Sequence, residues 1–476
     1  MNLKTRRILY IIFILFFVIL STMVVFYTAG YRYHFKKEKF QKSGGIVLEF
    51  QPKEVKIYLQ DKKIEETGFF DNSFKIPDLL PGQYNIKIEK DGYHTWNKKF
   101  EVESEKVSFF KDIILFKKNT LPKIKIKGEI ENLTLSPLEN KIFFTERKED
   151  NLYFKILNEK INEVTNIALF KTTSTEKIIP NFSLNEKRVT FKINNKNYIY
   201  SFNDEALINI EKLFPELNKN KITELDIENT DKEADKIKNA RWSLNSDDAL
   251  YFMNDNDIYQ LNLLDYSVKR IAQKENHSDF KITDFCINGQ KTYLIRSKND
   301  KFSLEEWDKN KDEKVLLLDN ISPDFKFMPC PKPYLTLLDK KNKKLMVINT
   351  ETQEIIIEDS AKNIKWSKKL EENNYKISYN NDFEIHTYDI NNNKKKLITR
   401  HSQTIKGITW FDDYNHIIFV YGNSIDITDL DENHKLMHTL FQGGEIEGII
   451  SSHNKGKLYF EGKIGEQEGL FELDIL

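Results

Sequence analysis

The sequence predicts an all-β protein held by a single N-terminal helix, and three observations predict it. Residues Ile8 to Tyr27 carry no charge, and fifteen of these twenty are Leu, Ile, Val or Phe. From Gly44 the chain alternates short apolar strands with polar turns, and from Leu135 that alternation becomes periodic. The period is plainest in Ala240-Arg241-Trp242-Ser243, leading to Ala249-Leu250-Tyr251-Phe252 and then Asp257-Ile258-Tyr259-Gln260-Leu261.

Bulk properties bound the rest. A chain of 476 residues exceeds one ordinary core, so two or more domains are expected. Hydrophobic residues are 39% and aromatics 13%, enough for buried cores beside the 31% that are charged. Lys plus Arg and Asp plus Glu number 73 each, which leaves no unopposed basic field to hold nucleic acid. The two cysteines, Cys286 and Cys330, fall in neighbouring repeats and rule out a disulfide framework; they are one bridge or two buried thiols.

As a helix, the apolar run would span about 30 Å, the thickness of a bilayer hydrocarbon core. A cleaved signal peptide is the alternative, since Lys4, Arg6 and Arg7 make a basic head and Thr28-Ala29-Gly30 are small. The run is longer than the ~7–15 residues of a usual signal core, and cleavage after Ala29 would put bulky Tyr27 at the minus-three position. The expectation is therefore an uncleaved anchor at 8–30, contacting the lipid bilayer through Ile8–Tyr27, after a cytoplasmic head at 1–7. Arg32, Lys36, Lys37 and Lys39 make the far flank basic as well, so charge alone does not orient the span. The segment 31–43 reads as a juxtamembrane linker.

Residues 44–118 read as a small β-sandwich. Its strands begin at Gly45-Ile46-Val47-Leu48-Glu49-Phe50 and Val55-Lys56-Ile57-Tyr58-Leu59, and Pro81-Gly82 and Asp91-Gly92 are turn signals because Pro fixes φ and Gly permits a positive one. Pro52, Val55 to Leu59, Gly68, Leu80-Pro81-Gly82-Gln83-Tyr84, Gly92-Tyr93 and Trp96 together resemble the PEGA domain over about 75 residues. Where that family has Pro-Glu-Gly-Ala, this chain has Pro52-Lys53-Glu54-Val55. The resemblance implies a non-catalytic surface module of prokaryotic envelope proteins, and with the short basic head it places the C-terminal domains outside the cytoplasm.

Residues 119–476 carry the repeats. Their opening apolar residues are Leu135, Phe182, Trp242, Ile287, Met328, Trp366, Trp410 and Ile450, an average of 45 residues apart. Four short strands in that length is the period of a β-propeller blade, so about eight blades are expected, or seven if Lys171–Lys236 folds irregularly. The widest interval holds Pro215–Lys236, which reads as an insertion. Pro122-Lys123-Ile124-Lys125-Ile126-Lys127 alternates as an exposed edge strand should, and is expected to pair with Gly469–Ile475 and close the ring. Ser136-Pro137-Leu138-Glu139 gives the domain its resemblance to WD40-like and TolB-type propellers, with Ser183-Leu184-Asn185 and Ser243-Leu244-Asn245 as weaker copies.

No constellation of catalytic residues stands out. The aromatic openers Trp242, Trp366 and Trp410 could line a carbohydrate platform, but they share a repeat position with Leu135, Ile287 and Met328, which is the mark of inter-blade core. His434 and His438 would lie about 13 Å apart on a strand, too far for one metal ion. Asp255-Asn256-Asp257 and Asp412-Asp413 fall where hairpins turn and lack the Gly and distal Glu of a calcium loop. No nucleophile elbow, zinc-protease motif or phosphate loop is present, and no catalytic, cofactor or metal residue is assigned. The expected role is an extracytoplasmic, membrane-anchored binding or scaffold protein of the prokaryotic cell envelope, taking a protein, glycan or cell-wall component on a propeller face. An envelope hydrolase or lyase with its site at the propeller mouth, and a docking element of a larger assembly, are the rival readings.

Overall fold

The structure is a computed structural model that describes residues 3–476, except 35–37, 174, 176, 214–236, 244–245, 255–256, 273–279, 289–290, 309–312, 368–374, 412–413, 431–435 and 453–455. Pro215–Lys236, Asp255-Asn256, Leu244-Asn245, Asp412-Asp413 and His434 thus lie outside the described residues. The chain divides into two compact units, Met1–Thr120 with Ile427–Leu440 and Asp474–Leu476, and Leu121–Asp426 with Phe441–Leu473.

The first unit opens with the helix Leu3–Thr28, long and apolar enough to cross a membrane and exposed along its apolar length. No Gly or Pro interrupts it, and its hydroxyls are satisfied within the helix, Thr22 donating to the Val18 carbonyl at 2.8 Å and Thr28 to Val24 at 2.9 Å. It stops at Gly30, whose φ of 82° a side chain would resist. Arg32 then donates to the Tyr27 carbonyl at 2.8 Å, placing a cation at the negative end of the helix. The predicted linker is corrected here: Tyr31–His34 and Lys39–Lys42 pair as a hairpin, because Tyr31, Tyr33 and Phe40 gain ring contacts with Phe26 and with one another.

Two sheets follow. Gly44–Gln51 lies between Ser73–Leu79, antiparallel, and Val107–Ile114, parallel. The other sheet orders Lys62–Glu66, Lys56–Leu59, Gly82–Glu89 and Trp96–Val102. Alternate residues of both form one buried cluster, with Ile46, Leu48 and Phe50 from the first and Ile57, Ile86, Ile88 and Trp96 from the second. Gly92 takes the expected positive φ of 84°, but Gly82 does not; the left-handed residue before it is Asp78, and the Tyr84 hydroxyl pins the turn by donating to the Leu80 carbonyl at 2.9 Å.

The repeat region forms eight four-stranded antiparallel sheets among the described residues. Their first strands are Glu129–Leu135, Asn181–Phe182, Ile237–Trp242, Lys281–Asn288, Lys326–Met328, Asn363–Trp366, Ile405–Trp410 and Glu445–Ser452. Sheets 1 to 7 run through their strands in chain order; sheet 8 takes its fourth strand from Lys123–Lys127, which pairs antiparallel with Gln467–Asp474 through Lys123 opposite Glu472 and Ile126 opposite Leu470.

Each sheet packs on the next. Phe143 and Phe154 of sheet 1 meet Val189 and Phe191 of sheet 2, Ile199 of sheet 2 meets Leu250 and Phe252 of sheet 3, and the series continues through Met253 with Phe285, Ile295 with Leu335, and Leu338 with Ile377. The Trp410 indole of sheet 7 donates to the Lys365 carbonyl of sheet 6 at 3.1 Å, and Lys406 of sheet 7 reaches the Ile446 carbonyl of sheet 8 at 2.9 Å. Sheet 8 in turn packs on sheet 1 through Ile450, Tyr459 and Leu470 against Ile130, Ile142 and Phe144.

Candidate functional site

The residues that open the repeats converge. After each comes a Ser whose hydroxyl accepts the amide of the second strand's first residue, Ser136 from Lys141 at 3.0 Å, Ser183 from Arg188 at 3.0 Å and Ser367 from Lys376 at 2.9 Å. That bond turns the chain sharply and leaves the preceding apolar residue at the end of the first strand. Acids of these turns join successive sheets: Glu186 accepts the Leu138 amide at 2.5 Å, and Asp247 accepts the Asn185 amide and side chain, each at 2.7 Å. Burial works against the Asp247 carboxylate, but the donors at Asn185 and Ser183 hold it below the usual range.

At that end lie two cavities. One of about 380 Å³ is bounded by Leu135, Phe182, Trp242, Ile287 and Met328, and one of about 290 Å³ by Leu135, Trp366, Trp410 and Ile450. All eight repeat-opening residues therefore line one cavity or the other. They belong to the inter-sheet clusters too, with Trp242, Trp410, Phe182 and Ile450 buried and the rest half-buried. The sequence reading assigned them to core alone; the structure gives them a wall of the cavity as well, since a residue at the end of an inner strand has a neighbour on one side and open space on the other.

Arg241 and Asp284, neither singled out by the sequence, make the polar anchor of the larger cavity. Five of the first strands carry a bulge just before the opening residue, among them 238/241 and 282/284. The bulges aim Arg241 of sheet 3 at the fully buried Asp284 of sheet 4, with both carboxylate oxygens 3.0 Å from Nη2. Asp284 also accepts the Phe285 and Phe327 amides, each at 2.9 Å, and Arg241 donates to the Phe327 carbonyl of sheet 5 at 3.2 Å. Asn132 and Asn239 hold the same repeat position in sheets 1 and 3, and bond to the Ile178 amide and the Thr283 carbonyl. Both are left-handed, a conformation Asn tolerates.

Cys286 and Cys330 are free thiols on the wall of this cavity. Burial pushes Cys286 up to about 11 and Cys330 up to about 12, so both stay protonated at neutral pH. The structure does not converge histidines on a metal site. His438 stacks on His94 of the same unit with ring centroids 4.4 Å apart, and His94 meets the Thr439 carbonyl at 3.2 Å. Asp257 pairs with Arg270 at 3.5 Å. Among the described residues no three His, Cys, Asp or Glu side chains gather as metal ligands.

Glu461 is an acid of another kind. It lies against Gly448, one carboxylate oxygen is buried without a hydrogen-bond partner, and burial pushes its carboxyl up to about 7. The Leu133 amide and Lys177 pull the other way, while Glu447 and Glu131 add to the rise. A carboxyl that keeps its proton to about 7 when folded, against an ordinary 4.5, stabilises the fold fully below pH ~4.5 and loses that contribution as pH rises through 7. At about 1.4 kcal/mol per pH unit the loss is on the order of 3 kcal/mol. Melting curves from pH 5 to 8 should therefore fall more steeply for the native chain than for Glu461→Gln; parallel curves would contradict this.

No protein-family model matches the chain, and no curated protein is similar to it in sequence. Solved structures resemble it distantly. One is the dihydro-heme d1 dehydrogenase NirN in complex with DHE, at 12% identity and a TM-score of 0.46 over 72% of this chain and 75% of that one. The Dos1 propeller is 13% identical with a TM-score of 0.45, covering 74% and 93%. The β-propeller domain of Myceliophteria thermophila Cps50 (Swd1) is 8% identical with a TM-score of 0.40, covering 75% and 100%. Enzymes and non-enzymes share such architectures, and function belongs to the site rather than the fold.

Proposed function

We propose that this chain is a membrane-anchored binding protein of the prokaryotic cell envelope. Its helix spans the bilayer, its PEGA-like sandwich is a spacer, and its eight sheets are the blades of a propeller held outside the cytoplasm. The ring is closed by Lys123–Lys127 against the last strand. The observation that carries the reading is the convergence of all eight repeat-opening residues on two cavities at one end of the first strands. Apolar walls with a few fixed polar groups, here Arg241, Asn181 and Asn288, are what a binding site for part of a protein or glycan needs.

Leu184 tests it, because it lines the larger cavity yet is exposed, so a charge there disturbs no packing. Full-length protein in nanodiscs is expected to retain a component of isolated envelope fractions, and Leu184→Glu to weaken that retention at least tenfold with an unchanged melting temperature. Equal retention by the variant, or none by the native protein, would overturn the reading.

A further inference from the structure

The first strands carry a second pattern, in charge. Those of sheets 3 to 7 each hold one exposed lysine, namely Lys238, Lys281, Lys326, Lys365 and Lys406, next to buried residues such as Ile237, Ile282, Phe327 and Ile405. The first strands of sheets 8 and 1 hold Glu445, Glu447, Glu129 and Glu131 instead. A first strand has sheets on both faces and a second strand along one edge. Its accessible side chains thus open only toward the axis the eight strands surround, or at its ends.

Lys365 is the innermost of these lysines. It lines the 290 Å³ cavity next to Trp366, and its ammonium makes no ion pair or hydrogen bond among the described residues. Lys177, just before sheet 2, and Lys340, between the second and third strands of sheet 5, are also without an ion pair there. Burial pushes the Lys365 ammonium down, and Lys177 and Lys340 push it further; burial and Lys177 do the same to Lys340. Three cations from separate sheets therefore meet across the axis with no anion between them. Unpaired, partly desolvated like charges cost free energy that a bound anion would offset.

We propose that the centre of the eight-sheet ring is a binding site for a compact anionic group, a phosphate or a carboxylate, held by Lys365 with Lys177 and Lys340. The acidic sector of sheets 8 and 1 faces this group and disfavours an extended polyanion, so the ligand carries its negative charge at one point. The site is separate from the apolar cavity, although its location rests on the same ring.

The test is thermal melting and calorimetry of full-length protein in nanodiscs of zwitterionic lipid at low salt, with inorganic phosphate, acetate and long-chain polyphosphate as probes. Phosphate or acetate should bind and raise the melting temperature, and 0.5 M NaCl should abolish the effect. Lys365→Gln should weaken binding at least tenfold while melting no lower than the native chain without ligand. Lys269→Gln, on the exposed fourth strand of sheet 3, should bind as the native chain does. Leu184→Glu should keep anion binding even if envelope retention is lost, which separates the two readings. Absence of binding to phosphate and acetate, equal binding by Lys365→Gln, or a preference for polyphosphate over both would overturn the proposal.

Discussion

Replacing Lys123–Lys127 by five Gly and Ser residues is expected to lower stability by more than about 3 kcal/mol and to make the protein associate. The strand covers Gln467–Asp474, whose Leu470 and Phe471 are at most 2% exposed. It also supplies Ile126 to the cluster that joins sheets 8 and 1, and Lys125, whose ammonium lies 3.2 Å from Glu472. Burial opposes the Glu472 carboxylate, and Lys125, Tyr459 and Lys457 together hold it below the usual range. Without the strand, an apolar edge with unpaired amides and a half-paired buried acid would face solvent. Urea unfolding and light scattering measure both effects, and Lys125→Gln, which removes only the ion pair, should lose far less. A substituted chain that unfolds at the native urea concentration would refute the closing role.

The second large effect is expected at Asp284. Asp284→Ala removes a fully buried carboxylate that neutralises Arg241 and accepts two amides, and breaking such a pair costs about 3–5 kcal/mol. Replacing both partners with apolar residues, Arg241→Met with Asp284→Leu, should not restore the native stability. The Phe285 and Phe327 amides would remain buried without acceptors, each costing about 1–3 kcal/mol. Full recovery in the double variant would show that the carboxylate acts only as a counter-charge. The urea midpoint at constant slope reads the difference directly.

Much of the organisation is legible in the sequence because it depends on neighbours along the chain. Twenty uncharged residues make a helix whatever follows, and alternation at Lys123–Lys127 marks an exposed strand. Repeat spacing located the strand that opens each sheet. The linker was misread because its two strands are short and basic, and their pairing depends on rings contributed by the helix. At Pro81-Gly82 the turn was legible, but not which residue would carry the positive φ.

The candidate site was not legible, for a different reason. Arg241 and Asp284 are 43 residues apart and meet only because bulges in two strands turn them toward each other. Lys177, Lys340 and Lys365 look like ordinary surface lysines until three sheets bring them together. Taken alone, the sequence determined an apolar helix, a β-sandwich pattern and a repeat of four strands, because periodicity is a property of local backbone geometry. Only the tertiary structure decided that the repeat-opening residues wall two cavities and that one acid and three lysines are held away from bulk water, because such burial is set by what packs from distant parts of the chain.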